Sequence, residues 1–125
     1  MGIGATILAA IAAGVMIAAV VYIAYLTIKK LKQFIRERIE RKKKSKVAFG
    51  ETRKIVDEHA KEILANAPTM TMDELEQYCE DTPYFVIDYD PNTDEVSDYT
   101  SIKTDGVDER VDELMYDNDG VVLFE

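Results

Sequence analysis

The side chains best suited to chemistry fall between Asp88 and Asp98. In Asp88-Tyr89-Asp90-Pro91-Asn92-Thr93-Asp94, oxygen-bearing Asp88, Asp90, Asn92 and Asp94 alternate, which is how the first half of a calcium loop presents its ligands. The pattern breaks where calcium geometry is strictest. Thr93 stands where glycine permits the sharp turn, and Tyr99 where a bidentate glutamate closes the shell. A solvated turn rich in Asp and Asn accounts for the same residues. The expectation is that no metal is held, with Asp88, Asp90, Asn92 and Asp94 as the residual candidates. A carboxylate pair for acid–base work, such as Asp88 with Asp98, is the second arrangement. Residues 47–125 hold 22 Asp/Glu, so many pairs can be chosen and this one carries little weight from sequence alone.

Other catalytic groups are scarce. The chain has one His and one Cys, and lacks a glycine-rich phosphate loop and a paired zinc-ligand motif. His59 lies within a helical pattern, four residues from both Ile55 and Ile63, where a packed or half-exposed imidazole is expected. Cys79 lacks the cationic surroundings that lower a thiol pKa. The expected reading is a non-enzyme with no catalytic residue and no cofactor.

The elements that would position these groups follow from charge and periodicity. Residues 1–28 carry no charged side chain, residues 29–46 hold ten Lys/Arg against Glu37 and Glu40, and residues 47–125 hold five Lys/Arg against 22 Asp/Glu. The net charges are +8 and −17 for the two charged parts, and −9 for the 125-residue chain. Such segregation predicts three parts: an apolar segment 1–28, a basic segment 29–46 and an acidic domain 47–125.

From Ile3 to Ile28 the chain is apolar apart from two Thr and two Tyr. A bilayer core of about 30 Å takes roughly 20 helical residues, so this run predicts a single transmembrane helix. A cleaved signal peptide fits less well, because no basic residue precedes the run and the positive charges follow it. Those charges predict a single-pass membrane protein with its N-terminus outside and its C-terminal domain cytoplasmic. Thr6, Ala10, Gly14 and Ala18 recur every fourth residue, a small-residue face suited to helix association and hence to a homo-oligomer. Gly2 and Thr6 also match the myristoylation pattern, read as accidental beside a spanning helix.

Residues 29–46 place Leu31, Phe34, Ile35 and Ile39 at helical spacing with charge between them. Lys29, Lys30, Lys32, Arg36, Arg41, Lys42, Lys43 and Lys44 are the candidate contacts to anionic lipid. Nucleic acid is disfavoured as a partner by the attached acidic domain. Beyond a break near Ala48-Phe49-Gly50, helices are predicted over 52–67 and from Thr71, whose Thr71-Met72-Asp73-Glu74 has capping-box spacing, to about Glu80. Strands are predicted over 84–89 and 96–102, a helix over 107–115 and a strand over 121–124. The expected domain is α+β in the order ααββαβ around a three-stranded, mainly antiparallel sheet. The predicted function is a membrane-tethered interaction or accessory subunit whose acidic domain docks an unidentified protein partner. The alternative is a homo-oligomeric membrane effector or structural subunit assembling through the transmembrane helix.

Overall fold

The computed structural model describes residues 19–41, 46–90, 92–93 and 95–124. Its elements in chain order are β1 (Ala19–Tyr22), β2 (Tyr25–Leu26), α1 (Ile28–Arg41), β3 (Lys46–Glu51), α2 (Thr52–Asn66) and α3 (Met72–Asp81). They continue as β4 (Tyr84–Asp90), β5 (Glu95–Lys103), β6 (Gly106–Val107), α4 (Glu109–Asp117) and β7 (Val121–Phe124). Five strands form one mixed sheet in the order β1-β5-β4-β3-β7, and β2 with β6 forms a two-stranded parallel bridge.

The pleat sorts side chains into two cores. Ala48, Phe85, Ile87 and Val121 join Ile55, Val56 and Ile63 of α2 and Leu75 and Cys79 of α3 on one face. Val47, Phe49, Tyr84, Val86 and Ile102 join Leu31 and Ile35 of α1 and Val111 and Met115 of α4 on the other. The sheet is therefore the middle layer of an α/β/α sandwich, which is why β3 and β4 are buried on both sides. Phe49 and Tyr84 stack with ring centroids 5.3 Å apart on the α1/α4 face.

Residues 19–26 run parallel to residues 100–107 in one constant register, from Ala19 opposite Thr100 to Leu26 opposite Val107. Each stretch then turns into a helix at the same offset, α1 at Ile28 and α4 at Glu109. The Asp108 side chain caps α4 by accepting from the Arg110 N–H, and the Thr71–Glu74 capping box forms at the start of α3.

This arrangement corrects the fold class expected from sequence. Among the described residues no helix is long and apolar enough to cross a membrane. The second part of the predicted span, residues 19–28, is two short strands and the start of α1, with Leu26 fully buried in the sandwich. The single-pass topology, the anchor and the placement of the C-terminal domain on the cytoplasmic side of a membrane lose their basis with that helix. The physical reason is composition: Val20, Val21, Tyr22, Ile23 and Tyr25 are β-branched or aromatic and pack well on a pleated surface. The small-residue face Thr6, Ala10, Gly14 and Ala18 lies outside the described residues. The sheet has five strands rather than three, because residues 46–51 and 19–22 also join it.

Residues 46–51 form β3, between β4 and β7, where sequence suggested a break. Gly50 is required there by close approach: a Cβ would lie 2.7 Å from Phe85 Cζ and 2.9 Å from the Gly120 carbonyl oxygen. Gly50→Ala is expected to destabilise the chain by about 1–3 kcal/mol. An unchanged urea midpoint would show that this strand packs less tightly than described.

Candidate functional site

A buried charge cluster sits where α1 crosses the β4–β5 ladder. Leu31, Ile35 and Arg38 occupy one stripe of α1, and all three are buried. The stripe thus delivers a guanidinium to a position that periodicity assigns to the core. Arg38 donates through Nε to Asp88 Oδ1 at 3.2 Å and through Nη1 to Thr100 Oγ1 at 2.9 Å. Its Nη2 lies 3.1 Å from the same Asp88 oxygen and also donates to the Asp98 carbonyl. The guanidinium carbon stands 5.8 Å from the centre of the Phe34 ring, a cation–π contact that further fixes it.

A bulge in β5 completes the cluster. Val86 is opposite Thr100 while Asp88 is opposite Ser97, so Asp98 and Tyr99 together face the single residue Ile87. Asp98 takes a left-handed conformation with φ 51°, tolerated by Asp but costly for most side chains. The bulge turns the Asp98 carbonyl toward Arg38 and brings the Asp98 carboxyl beside that of Asp88.

The electrostatics are unbalanced. Asp88 is 1% exposed, and its Oδ2 has no hydrogen-bond partner among the described residues. Burial pushes its pKa above the ordinary carboxylate range, the Asp98 carboxyl pushes it further, and Arg38 opposes both. Ala19, Arg38, Arg41, Asp88, Asp98, Tyr99 and Thr100 line a cavity of about 340 Å³ at this point. Arg41, exposed at the end of α1, makes no hydrogen bond or ion pair with another described residue.

The residues singled out from sequence are thus dispersed. Asp88 belongs to the buried cluster, whereas Asp90 accepts from the Asn92 N–H in the exposed β4–β5 turn, and Asp94 lies outside the described residues. Among the described residues no group of three or more His, Cys, Asp and Glu is placed to hold a metal ion. Lys29, Lys30, Lys32, Arg36 and Arg41 are exposed on the outer side of α1, and Lys42, Lys43 and Lys44 lie outside the described residues. Arg38 and Thr100 were missed. The signal for Arg38 was its spacing from Leu31 and Ile35, which puts a cation on an apolar stripe.

His59 occupies a kink in α2, with φ −129°, and its Nδ1 lies 3.3 Å from Glu62 Oε1. Cys79 is buried in the α2/α3 core, and burial pushes its thiol up to about 11 against the partial opposition of Arg53. Its thiolate fraction at neutral pH is therefore about a hundredfold below that of an unperturbed thiol. Iodoacetamide should label Cys79 slowly in the native chain and rapidly in urea. Fast native labelling would show the thiol to be accessible.

A second feature lies on α4. Glu109, Asp112, Glu113, Tyr116 and Asp117 line a shallow depression on its outer face, and Tyr116 is 88% exposed. The last turn of α4 holds no basic residue, so Asp117 meets the negative end of the helix dipole without compensation. Nearby Glu51 has its pKa raised by burial and then by the charge of Asp112. Comparison with protein-family models, curated proteins and solved structures finds no match for this chain.

Proposed function

We propose that this chain is a non-catalytic docking module that binds a basic segment of a protein partner through the outer face of α4. The observation that carries the reading is Tyr116, an aromatic ring left 88% exposed among the carboxylates of Glu109, Asp112, Glu113 and Asp117. Tyrosine offers large contact area at low entropic cost and a π face for Lys or Arg, and it is enriched among residues that dominate binding energy. The surrounding carboxylates speed encounter with a cationic partner and exclude acidic ones. Charge complementarity also supports the choice of partner: Asp117 and Glu51 sit where added positive charge relieves repulsion already present in the fold.

The test is titration of the full chain with a short lysine–arginine peptide at low and at physiological salt. Binding should weaken as salt rises. Tyr116→Ala should weaken it about tenfold, which corresponds to roughly 1.4 kcal/mol. Asp112→Lys with Glu113→Lys should weaken it further. Absence of binding at low salt, or equal binding by all variants, overturns the proposal.

A further inference from the structure

The main sheet ends at β7, whose outer side meets no other described strand. Opposite Gly120, the Glu51 N–H donates to the Gly120 carbonyl at 2.8 Å, which sets the alternation of the β3–β7 ladder. Val122 and Phe124 therefore bond to β3, while the N–H and C=O of Leu123 point away from the sheet. Neither group of Leu123 meets a partner among the described residues. Sheet edges are usually guarded by a charge, a proline or a bulge, and Val121-Val122-Leu123-Phe124 pairs in regular register with no charge and no proline.

Apolar surface continues from this edge onto the helical layer. Phe124 borders a groove with Ile35 and Ile39 of α1, flanked by exposed Lys32 and Arg36. With Leu114 it also borders a hollow whose rim carries exposed Glu113 and Asp117 of α4. None of these four charged side chains forms a hydrogen bond or ion pair with another described residue. The cations of α1 lie beside Phe124 at the end of β7, whereas α4 closes at Asp117, just before β7 starts.

We propose that β7 pairs antiparallel with β7 of a second copy of this chain, across a two-fold axis perpendicular to the sheet. Leu123 then stands opposite Leu123 of the second copy, and each N–H donates to the other's C=O. Phe124 packs against Val122 of the second copy on the α1/α4 face, an aromatic with a β-branched side chain. Such an axis keeps the helices of both copies on their own side of the sheet. Because strand direction reverses, the Lys32 and Arg36 end of one copy meets the Glu113 and Asp117 end of the other. An isologous interface makes that match twice, whereas a partner of one charge sign satisfies only one end. Ladder bonds and apolar contacts supply the affinity, and the charges select the partner, since exposed ion pairs add little by themselves. The inference does not rest on the peptide reading of α4, because Tyr116 takes no part in it.

The experiment is sedimentation velocity of the full chain at rising concentration, joined to hydrogen exchange at the Leu123 amide. A monomer–dimer equilibrium is expected. The Leu123 amide should exchange quickly when dilute and become protected as the dimer fills, with Val122 and Phe124 protected throughout. Lys32→Glu with Arg36→Glu should weaken the dimer about tenfold or more, because like charges then face each other twice. Adding Glu113→Lys with Asp117→Lys should restore it. All four positions are exposed, so the variants are expected to fold, with near-ultraviolet circular dichroism as the check. Val20→Lys, on the opposite edge strand β1 where Val20 is 58% exposed, should leave the dimer intact. A monomer at every concentration overturns the proposal, whether the Leu123 amide is open or already protected by another part of the chain. A dimer that ignores the Lys32 and Arg36 reversal, or is lost in Val20→Lys, forms through another surface and equally overturns it.

Discussion

Replacing Arg38 with methionine should lower the unfolding free energy by about 3–5 kcal/mol near neutral pH, because it strands Asp88 in the interior without its cation. The effect should depend on pH in a defined direction. The pKa of Asp88 is raised in the folded chain, so the native state holds this proton more tightly than the unfolded state does. By linkage, the stabilising contribution of the group is complete below the ordinary carboxylate pKa and is lost as pH rises through the folded value. Removing Arg38 deletes the one charge that opposes the shift, which widens that window upward. Urea denaturation should therefore show a smaller loss at about pH 4 than at about pH 7. Adding Asp88→Asn to Arg38→Met should recover part of the loss at neutral pH, because no buried charge then remains unpaired. An equal loss at both pH values would mean that Arg38 acts through packing alone.

Leu31→Ala is expected to cost about 2–5 kcal/mol in the same measurement. Leu31 is fully buried against Val47, Phe49, Val111 and Met115, so its removal leaves a cavity between α1 and the sheet. Lys32→Ala, on the exposed side of the same helix, should change stability little. The pair separates two pictures of the basic segment. If residues 29–41 merely flank the acidic domain, neither change alters its unfolding. If α1 is a layer of the sandwich, only Leu31→Ala does.

What the sequence disclosed divides by the kind of signal each segment carries. The helices at α2 and α3 and the strands at β4 and β5 announce themselves by period and punctuation: the Thr71–Glu74 cap, Pro83 and the Asp-Asn turn after Asp90. β3 does not, because Val47, Ala48, Phe49 and Gly50 are all buried and a strand buried on both faces has no alternation to read. Residues 19–28 misled for a related reason. Hydropathy reports burial but not the element that is buried, and a long apolar run absorbs two short strands without a visible boundary. The shift at Val20 from Ala- and Gly-rich sequence to β-branched and aromatic residues was the available clue.

The charged cavity was legible only in fragments. Asp88 and Asp98 were visible as carboxylates, but their meeting depends on a bulge at Asp98 and Tyr99, and the number of residues opposing Ile87 is a property of pairing between strands. Arg38 was hidden by its neighbours, since a cation among ten Lys/Arg draws no notice until its phase on the helix is counted. The α4 face was counted as charge without being seen as a surface. Tyr116 gains its interest from exposure, which the sequence does not supply.

The docking reading is tested most directly by mapping backbone amide shifts of the isotopically labelled chain as the lysine–arginine peptide is added. The predicted footprint covers Glu109–Asp117 with Glu51 and Asp119, which border the same end of α4. Exposed carboxylates on α2 and α3 away from that face, such as Glu62, Asp73 and Glu80, provide the internal control. A footprint spread evenly over those helices would contradict the account, because it would show the peptide responding to net charge and not to the surface around Tyr116.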